Sequence, residues 1–211
     1  MHSSTKRYRK KTNPYLNELF KQYPNCKHDE QKDEEIKKYN GHKITYGEMN
    51  YEGIDKLYEY VKTLIPYRPQ CFVDIGSGRG KLCLYMAEKN EIQQVLGVEL
   101  VTSRYDDGMH LKTSLGSHAH KVQFLNMDVL KLQFRTLLFT APVFVWFSNL
   151  CFDQTVTDKI YAKVVDEFPI GTLICSSKPP SEKQKKIEAF PRLDIPMSWN
   201  KNSSVHVYLT K

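Results

Sequence analysis

Apolar positions recur at two different periods along this chain, and the change from one to the other organises it. Residues 1–45 are polar, with 27–38 almost entirely charged. Within them Leu16, Leu19, Phe20 and Tyr23 stand at helical spacing and predict a short docking helix. Further on, Ile54, Leu57, Tyr58, Val61, Leu64 and Ile65 recur at threes and fours. That spacing predicts an amphipathic helix, halted by Pro66 and Pro69.

From there short apolar runs take over. Cys71–Ile75, Val95–Glu99, Val122–Leu125, Val143–Phe147 and Thr172–Ser176 read as strands. A helical stretch runs to Lys89 after the first and another follows the second, with helical or loop segments between the rest. Strands alternating with helices predict a parallel sheet covered on both faces. Met197–Trp199 and Val205–Leu209 flank polar residues 200–204 and predict a closing hairpin. No internal repeat interrupts the order. The expected architecture is one doubly wound α/β domain over residues 46–211, behind a basic arm and short helical extension over 1–45.

Composition narrows the class. A chain of 211 residues suffices for one full-sized core, and its 40% hydrophobic content excludes a disordered polymer. The longest apolar stretch, Leu137–Phe147, is broken by Thr140 and Pro142 and is too short for a membrane span, which needs about 20 residues. The basic, polar start has no apolar run behind it, so no secretory signal is expected and a soluble chain is.

Net charge is +7, and Lys6, Arg7, Arg9, Lys10 and Lys11 supply five of it with no acid among residues 1–11. A basic arm on a nearly neutral body suits nucleic-acid contact or nuclear import; a solubilising tail is the plainer alternative. The five cysteines, Cys26, Cys71, Cys83, Cys151 and Cys175, never stand in CxxC spacing, so a reducing compartment and no structural zinc are expected. His118 and His120 lack companions that would complete a metal site.

Candidate chemistry centres on Gly76, Gly78 and Gly80. Glycines between a strand and a helix let a ligand approach bare backbone. The spacing is GxGxG, not the dinucleotide GxGxxG, and Asp74 just before it repels a pyrophosphate while suiting a cation. S-adenosylmethionine (SAM), with an ammonium, a sulfonium and no phosphate, fits better than a nicotinamide dinucleotide. Glu99, ending the next strand, is placed to accept ribose hydroxyls, and Asp128, after the third, to reach an adenine amine. On the acceptor side, residues 145–152 set the amide of Asn149 among aromatic and apolar neighbours. Amino methyltransferases of nucleic acids carry a proline pair there, and this chain has none. An aliphatic amine therefore suits the segment better than a flat base.

Four stretches then carry a resemblance. Residues 46–51 (YGEMNY) are similar to a YGET loop, 72–81 (FVDIGSGRGK) with Gly97–Glu99 to FVDLGSGVGQ, and 147–152 (FSNLCF) to VNNFAF. Residues 175–179 (CSSKP), Ser198–Trp199 and Tyr208–Leu209 are similar to SSKP, SW and YYL pieces. Together they resemble the disruptor-of-telomeric-silencing family, non-SET methyltransferases of lysine 79 in histone H3, over about residues 43–211. The resemblance implies a seven-stranded, Rossmann-like SAM-dependent methyltransferase that acts on nucleosomes as a monomer in the nucleus (or in a viral factory, were the source a virus).

It also implies roles. Tyr46 and Glu48 close over the methionine part of SAM, Asp74 and the glycines Gly76, Gly78 and Gly80 hold the amino acid end, Glu99 takes the ribose and Asp128 the adenine. Asn149 meets the cofactor at the reacting centre, and Phe152, Trp199 and Tyr208 line the channel of the target lysine; plain core packing is the alternative for Phe152 and Trp199. The arm from Lys6 to Lys11 would meet DNA, and Lys183, Lys185 and Lys186 the acidic patch of histones H2A and H2B, unless those three are only a solvated surface. Met49, Lys81, Ser148 and Leu150 replace the family's threonine, glutamine, asparagine and phenylalanine.

The implied reaction is a direct in-line methyl transfer. Free lysine has a pKa of about 10.4, so near pH 8 only about one amine in 250 is neutral, a cost of about 3 kcal/mol. No histidine or paired carboxylate is placed as a base, so desolvation in an aromatic channel must lower that pKa, and positioning does the rest. Two rivals differ in class: a nucleic-acid amino methyltransferase, and a non-catalytic binding module, which would need a broken glycine loop.

Overall fold

The computed structural model describes Glu18, Phe20, 47–137, 139, 142–181 and 186–211. Most of the expected docking helix therefore lies outside the described residues; Glu18 and Phe20 have helical backbone, and Phe20 is buried.

The first complete helix, α1 (Tyr51–Leu64), begins three residues ahead of the apolar repeat, because Asn50 holds extended backbone and accepts the Ile54 N–H at 2.9 Å. It buries Ile54, Leu57, Tyr58 and Val61, and full burial of each of the three aliphatic side chains is worth about 1.5–3 kcal/mol. Then come β1 (Cys71–Ile75), α2 (Lys81–Ala87), β2 (Gln94–Glu99), α3 (Thr102–Lys112), β3 (Val122–Asn126), β4 (Val143–Phe147), α4 (Gln154–Glu167), β5 (Leu173–Ser176), β6 (Ile187–Ala189), β7 (Leu193–Ile195) and β8 (Ser203–Thr210). Single-turn 3-10 segments fill the β3–β4 connection.

Strand order is β3-β2-β1-β4-β5-β8-β6, with β7 also on β8. The first five strands are parallel, and β8 runs antiparallel to β5. Along its other edge β8 pairs with β6 through Leu209 and with β7 through Val205, so two three-residue strands in tandem fill the seventh position. Alternate strand residues enter opposite cores. Phe72, Val95, Phe144 and Trp146 pack with α1, α2 and α3, whereas Val73, Val98, Val145 and Phe147 pack with Ile160, Tyr161 and Val164 of α4. The sheet is doubly wound, as expected.

The closing hairpin differs from expectation. Its first strand is Leu193–Ile195, not Met197–Trp199. Pro196 ends β7, Met197 N–H turns back to the Asn200 carbonyl at 2.8 Å, and Met197 bridges to Met49 instead. No helix among the described residues is long and apolar enough to cross a membrane.

Candidate active site

Strand order reverses between β2 and β4 on either side of β1, and ligands of such sheets sit beyond the carboxyl ends at that point. Ile75 pairs with Val98, which sets Asp74 and Glu99 at the same end of adjacent strands. The loop after β1 turns sharply through Gly76 (φ +77°) and Gly78 (φ +56°), a conformation that side-chain-bearing residues resist. Around this loop lies a cleft lined by five carboxylates, Glu48, Asp74, Glu99, Asp128 and Asp153, and two cations, Lys81 and Arg104.

The acids are held in place. Glu99 accepts the Gly78 N–H at 2.6 Å on one oxygen and the Val101 N–H at 2.8 Å on the other, so the second strand end is tied to the glycine loop. The Leu100 N–H bonds the same carboxylate, so three backbone donors fix its orientation at the strand end. Burial pushes Glu99 up, opposed by the Val101 N–H and by Arg104. Asp74 is pushed up to about 8, chiefly by burial and next by the Glu99 charge, while the Cys83 thiol donates to its Oδ2 at 3.8 Å. Two carboxyls so held favour a cation between them. Asp128 caps a 3-10 turn by accepting the Leu130 N–H at 2.9 Å, and Leu100, Val101, Met127 and Val129 give that end of the cleft an apolar lining.

A second wall comes from residues 47–49. Glu48 pairs with Arg79 and Lys81, each at 3.1 Å, and Arg79 is only 2% exposed beneath the Phe20 ring, its guanidinium 5.8 Å from the centroid. Glu48 N–H donates to Ser198 Oγ at 3.0 Å, Ser198 N–H donates back to the Glu48 carbonyl at 2.8 Å, and the Trp199 ring covers Gly47. The Ser198–Trp199 turn thus straps the loop over the cleft.

Trp146, Ser148, Phe152, Val156 and Ile160 also line the cleft, on the side expected from the sequence to face the methyl acceptor. Phe152 rests on the glycine loop, its Cζ 3.5 Å from where a Gly76 Cβ would stand.

Of the residues expected in the site, the fold gathers Glu48, Asp74, Gly76, Gly78, Glu99, Asp128 and Phe152 around this one cleft. Four others stand elsewhere. Gly80 (φ +77°) packs against Phe124, whose Cε1 lies 2.8 Å from an added Cβ. Asn149, fully buried, turns its amide away from the cleft. It donates to Thr157 Oγ1 at 3.3 Å and to the Lys178 carbonyl at 2.9 Å, and accepts the Lys178 N–H at 2.8 Å. Tyr208 lies in the α4-side core, edge-on to Tyr161 at 5.6 Å. Trp199 is not among the residues lining the cleft and packs on Gly47. Lys186 is exposed and pairs with Asp166 at 3.1 Å. Tyr46, Lys6, Arg7, Arg9, Lys10, Lys11, Lys183 and Lys185 lie outside the described residues. Sequence pattern assigns no role to Arg79, Arg104 or Lys178, although Arg79 stands amid the glycines and Lys178 within the SSKP-like stretch.

A Rossmann-like sheet with a carboxylate-lined glycine loop defines the class of SAM-dependent methyltransferases. Solved structures agree on the fold: an RNA methyltransferase from Salinibacter ruber in complex with S-adenosyl-L-homocysteine is 13% identical, with a TM-score of 0.55 over 77% of this chain and 92% of that one. A Klebsiella pneumoniae protein assigned as an O-methyltransferase, also 13% identical, superposes with a TM-score of 0.58 over 94% and 96%.

The family described as histone methylation protein DOT1 matches residues 29–206, and the chain belongs to it. The match starts upstream of residue 46. A Caenorhabditis elegans relative named histone-lysine N-methyltransferase, H3 lysine-79 specific, is 25% identical over 158 residues, which are 72% of this chain. The chain spans 16% of that relative's length.

Proposed function

We propose that this chain transfers methyl groups from SAM to a lysine amine of histone H3 in the nucleosome, at the lysine 79 position for which the worm relative is named. The observation that carries the reading is the lining of the cleft: the acids Asp74, Glu99 and Asp128 and bare glycine backbone share it with Phe152, Trp146 and Ile160. Bound SAM supplies an electrophilic methyl group beside a sulfonium. Asp74 and the Gly76 backbone hold the amino acid end, Glu99 the ribose and Asp128 the adenine. Glu48, with Tyr46 before it in the chain, closes over the methionine part.

At the acceptor end Phe152, Trp146 and Ile160 exclude water from a lysine amine, and desolvation lowers its pKa so that a neutral nucleophile is present. Asn149 contributes by holding the acceptor loop, and Trp199 by strapping the cofactor loop. Residues 46–211 form the catalytic unit, acting as a monomer in the nucleus. Lys6, Arg7, Arg9, Lys10 and Lys11 meet nucleosomal DNA, while Lys183, Lys185 and Lys186 meet the acidic patch of H2A and H2B.

Methyl transfer from labelled SAM to nucleosomes, free octamer, bare DNA and bare RNA tests the reading. Label on H3, strongest with nucleosomes, supports it. Label on DNA or RNA instead replaces the lysine by a base. Deleting residues 1–11 should flatten the salt dependence of nucleosome binding, since each phosphate contact adds to that slope.

A further inference from the structure

We infer that Lys178 is the positioning residue of the acceptor mouth, and that it sets how much room the methyl acceptor has; the inference rests on the methyltransferase reading above. The acceptor loop 149–152 is a tight turn closed by Phe152 N–H donating to the Asn149 carbonyl at 3.1 Å. Its far end runs into α4, whose N-cap Asp153 accepts the Thr157 N–H at 3.0 Å, but that bond leaves the Phe152 carbonyl to another donor. Lys178, 26 residues further on, supplies it: its ammonium donates to the Phe152 carbonyl at 2.5 Å. Its own backbone is gripped on both sides by the Asn149 amide, at 2.8 and 2.9 Å.

One residue therefore ties both ends of the turn to the loop after β5. That loop is anchored in turn. Ser176 Oγ donates to the Lys178 carbonyl at 2.9 Å and meets the Tyr161 hydroxyl at 2.6 Å. Gln154 donates to the Pro179 carbonyl at 3.1 Å, and Ser181 reaches Asp158 through its backbone N–H at 2.8 Å and its hydroxyl at 2.6 Å.

The consequence falls on Phe152. Its ring stands over Gly76, where the glycine loop meets the acceptor end. A ring held there fixes the gap through which an amine approaches. An ammonium bonded to a carbonyl is a stronger tether than a neutral donor. Released, the ring can swing from Gly76 and admit a bulkier amine. Lys178 thus acts through Phe152 and touches no reacting atom itself.

The experiment compares Lys178→Met, which keeps the length and removes the donor, with Lys178→Arg, which keeps a cation. Readouts are hydrogen exchange at the Phe152 amide, SAM affinity, and turnover on nucleosomes carrying unmodified or dimethylated lysine. Lys178→Met should speed Phe152 exchange at least tenfold while exchange across β1 and β2 stays unchanged, and SAM affinity should hold within twofold. Turnover should fall by about 10- to 100-fold, as expected for an ångström-scale misplacement. The preference for unmodified over dimethylated acceptor should shrink, and Lys178→Arg should recover most of both. Wild-type exchange at Phe152, or an unchanged acceptor preference in a slowed enzyme, overturns the inference. If the wild type labels no lysine at all, the activity reading fails, and the exchange comparison still decides whether Lys178 holds the turn.

Discussion

The indole of Trp199 packs on Gly47, so close that a Cβ on that glycine would stand 2.5 Å from Cε3. Trp199 is 41% exposed, so the contact holds the cofactor loop and buries little else. Gly47→Ala should push ring and loop apart, costing about 1–3 kcal/mol as overpacking does. SAM affinity should fall about tenfold, equivalent to about 1.4 kcal/mol. Trp199→Ala alone should also weaken SAM, by freeing the loop. The double variant should lose less than the two losses added, because the second change removes the clash made by the first. Strict additivity in titration calorimetry would refute the contact.

Asp74 predicts a pH dependence with a definite sign. Its carboxyl titrates near 3.8 when unfolded and near 8 in the fold, so the folded state carries the extra proton between those values. Stability from this group is complete below pH 4 and is lost as pH rises toward 8. Asp74→Asn should flatten that slope in urea titrations. A ligand ammonium reverses the preference and favours the carboxylate, so SAM binding below pH 8 must release a proton. Affinity should rise toward pH 8, and calorimetry in two buffers of different ionisation enthalpy should count close to one proton at pH 7. Zero protons released would remove Asp74 from the ligand's amino acid end.

Glu48 and Arg79 should respond unequally to substitution. Arg79 is 2% exposed and Glu48 13%, and removing the acid takes a counter-charge from a guanidinium that water cannot reach. Glu48→Gln should cost about 3 kcal/mol. Arg79→Met keeps an unbranched stem under Phe20 and leaves Glu48 paired with Lys81 at 3.1 Å, so it should cost less. Denaturant unfolding without ligand checks the order; a reversed order would mean that Arg79 is held mainly by its other contacts.

Where a role follows from chain-local pattern, it is legible in the amino-acid sequence alone. β1 to β5 are short apolar runs, and Asp74, Glu99 and Asp128 sit where such runs end, so period and position locate both the sheet and these acids of the cleft. The tandem strands β6 and β7 are not legible in that way. They are three residues each, with one acid at the centre of each, and pinned by distant groups: Tyr60 donates to the Pro191 carbonyl at 2.7 Å and Lys56 to the Asp194 carbonyl at 2.6 Å. Side-chain direction is the other gap. Alternation along β8 separates Val205 and Val207 from Tyr208, but nothing local says which side holds the cleft. Arg79 reads as an exposed charge until Glu48 and Phe20 close over it.

Asn149 separates a structural from a chemical role most sharply. The sequence places an amide at the reacting centre, whereas the fold commits it to Thr157 and to both backbone groups of Lys178. Asn149→Ala strands the buried partners and should cost about 2–4 kcal/mol, since each orphaned group costs about 1–3. Asn149→Asp should do worse: its carboxylate can still accept the Lys178 N–H, but it faces the Lys178 carbonyl oxygen with a second oxygen and no donor. In either variant turnover should drop far more than SAM affinity, because the acceptor turn loosens while Asp74 and Glu99 stay in place. Wild-type stability of Asn149→Ala would deny the clamp. Full turnover by a measurably destabilised Asn149→Ala would detach the acceptor turn from catalysis and move the methyl acceptor to another wall of the cleft.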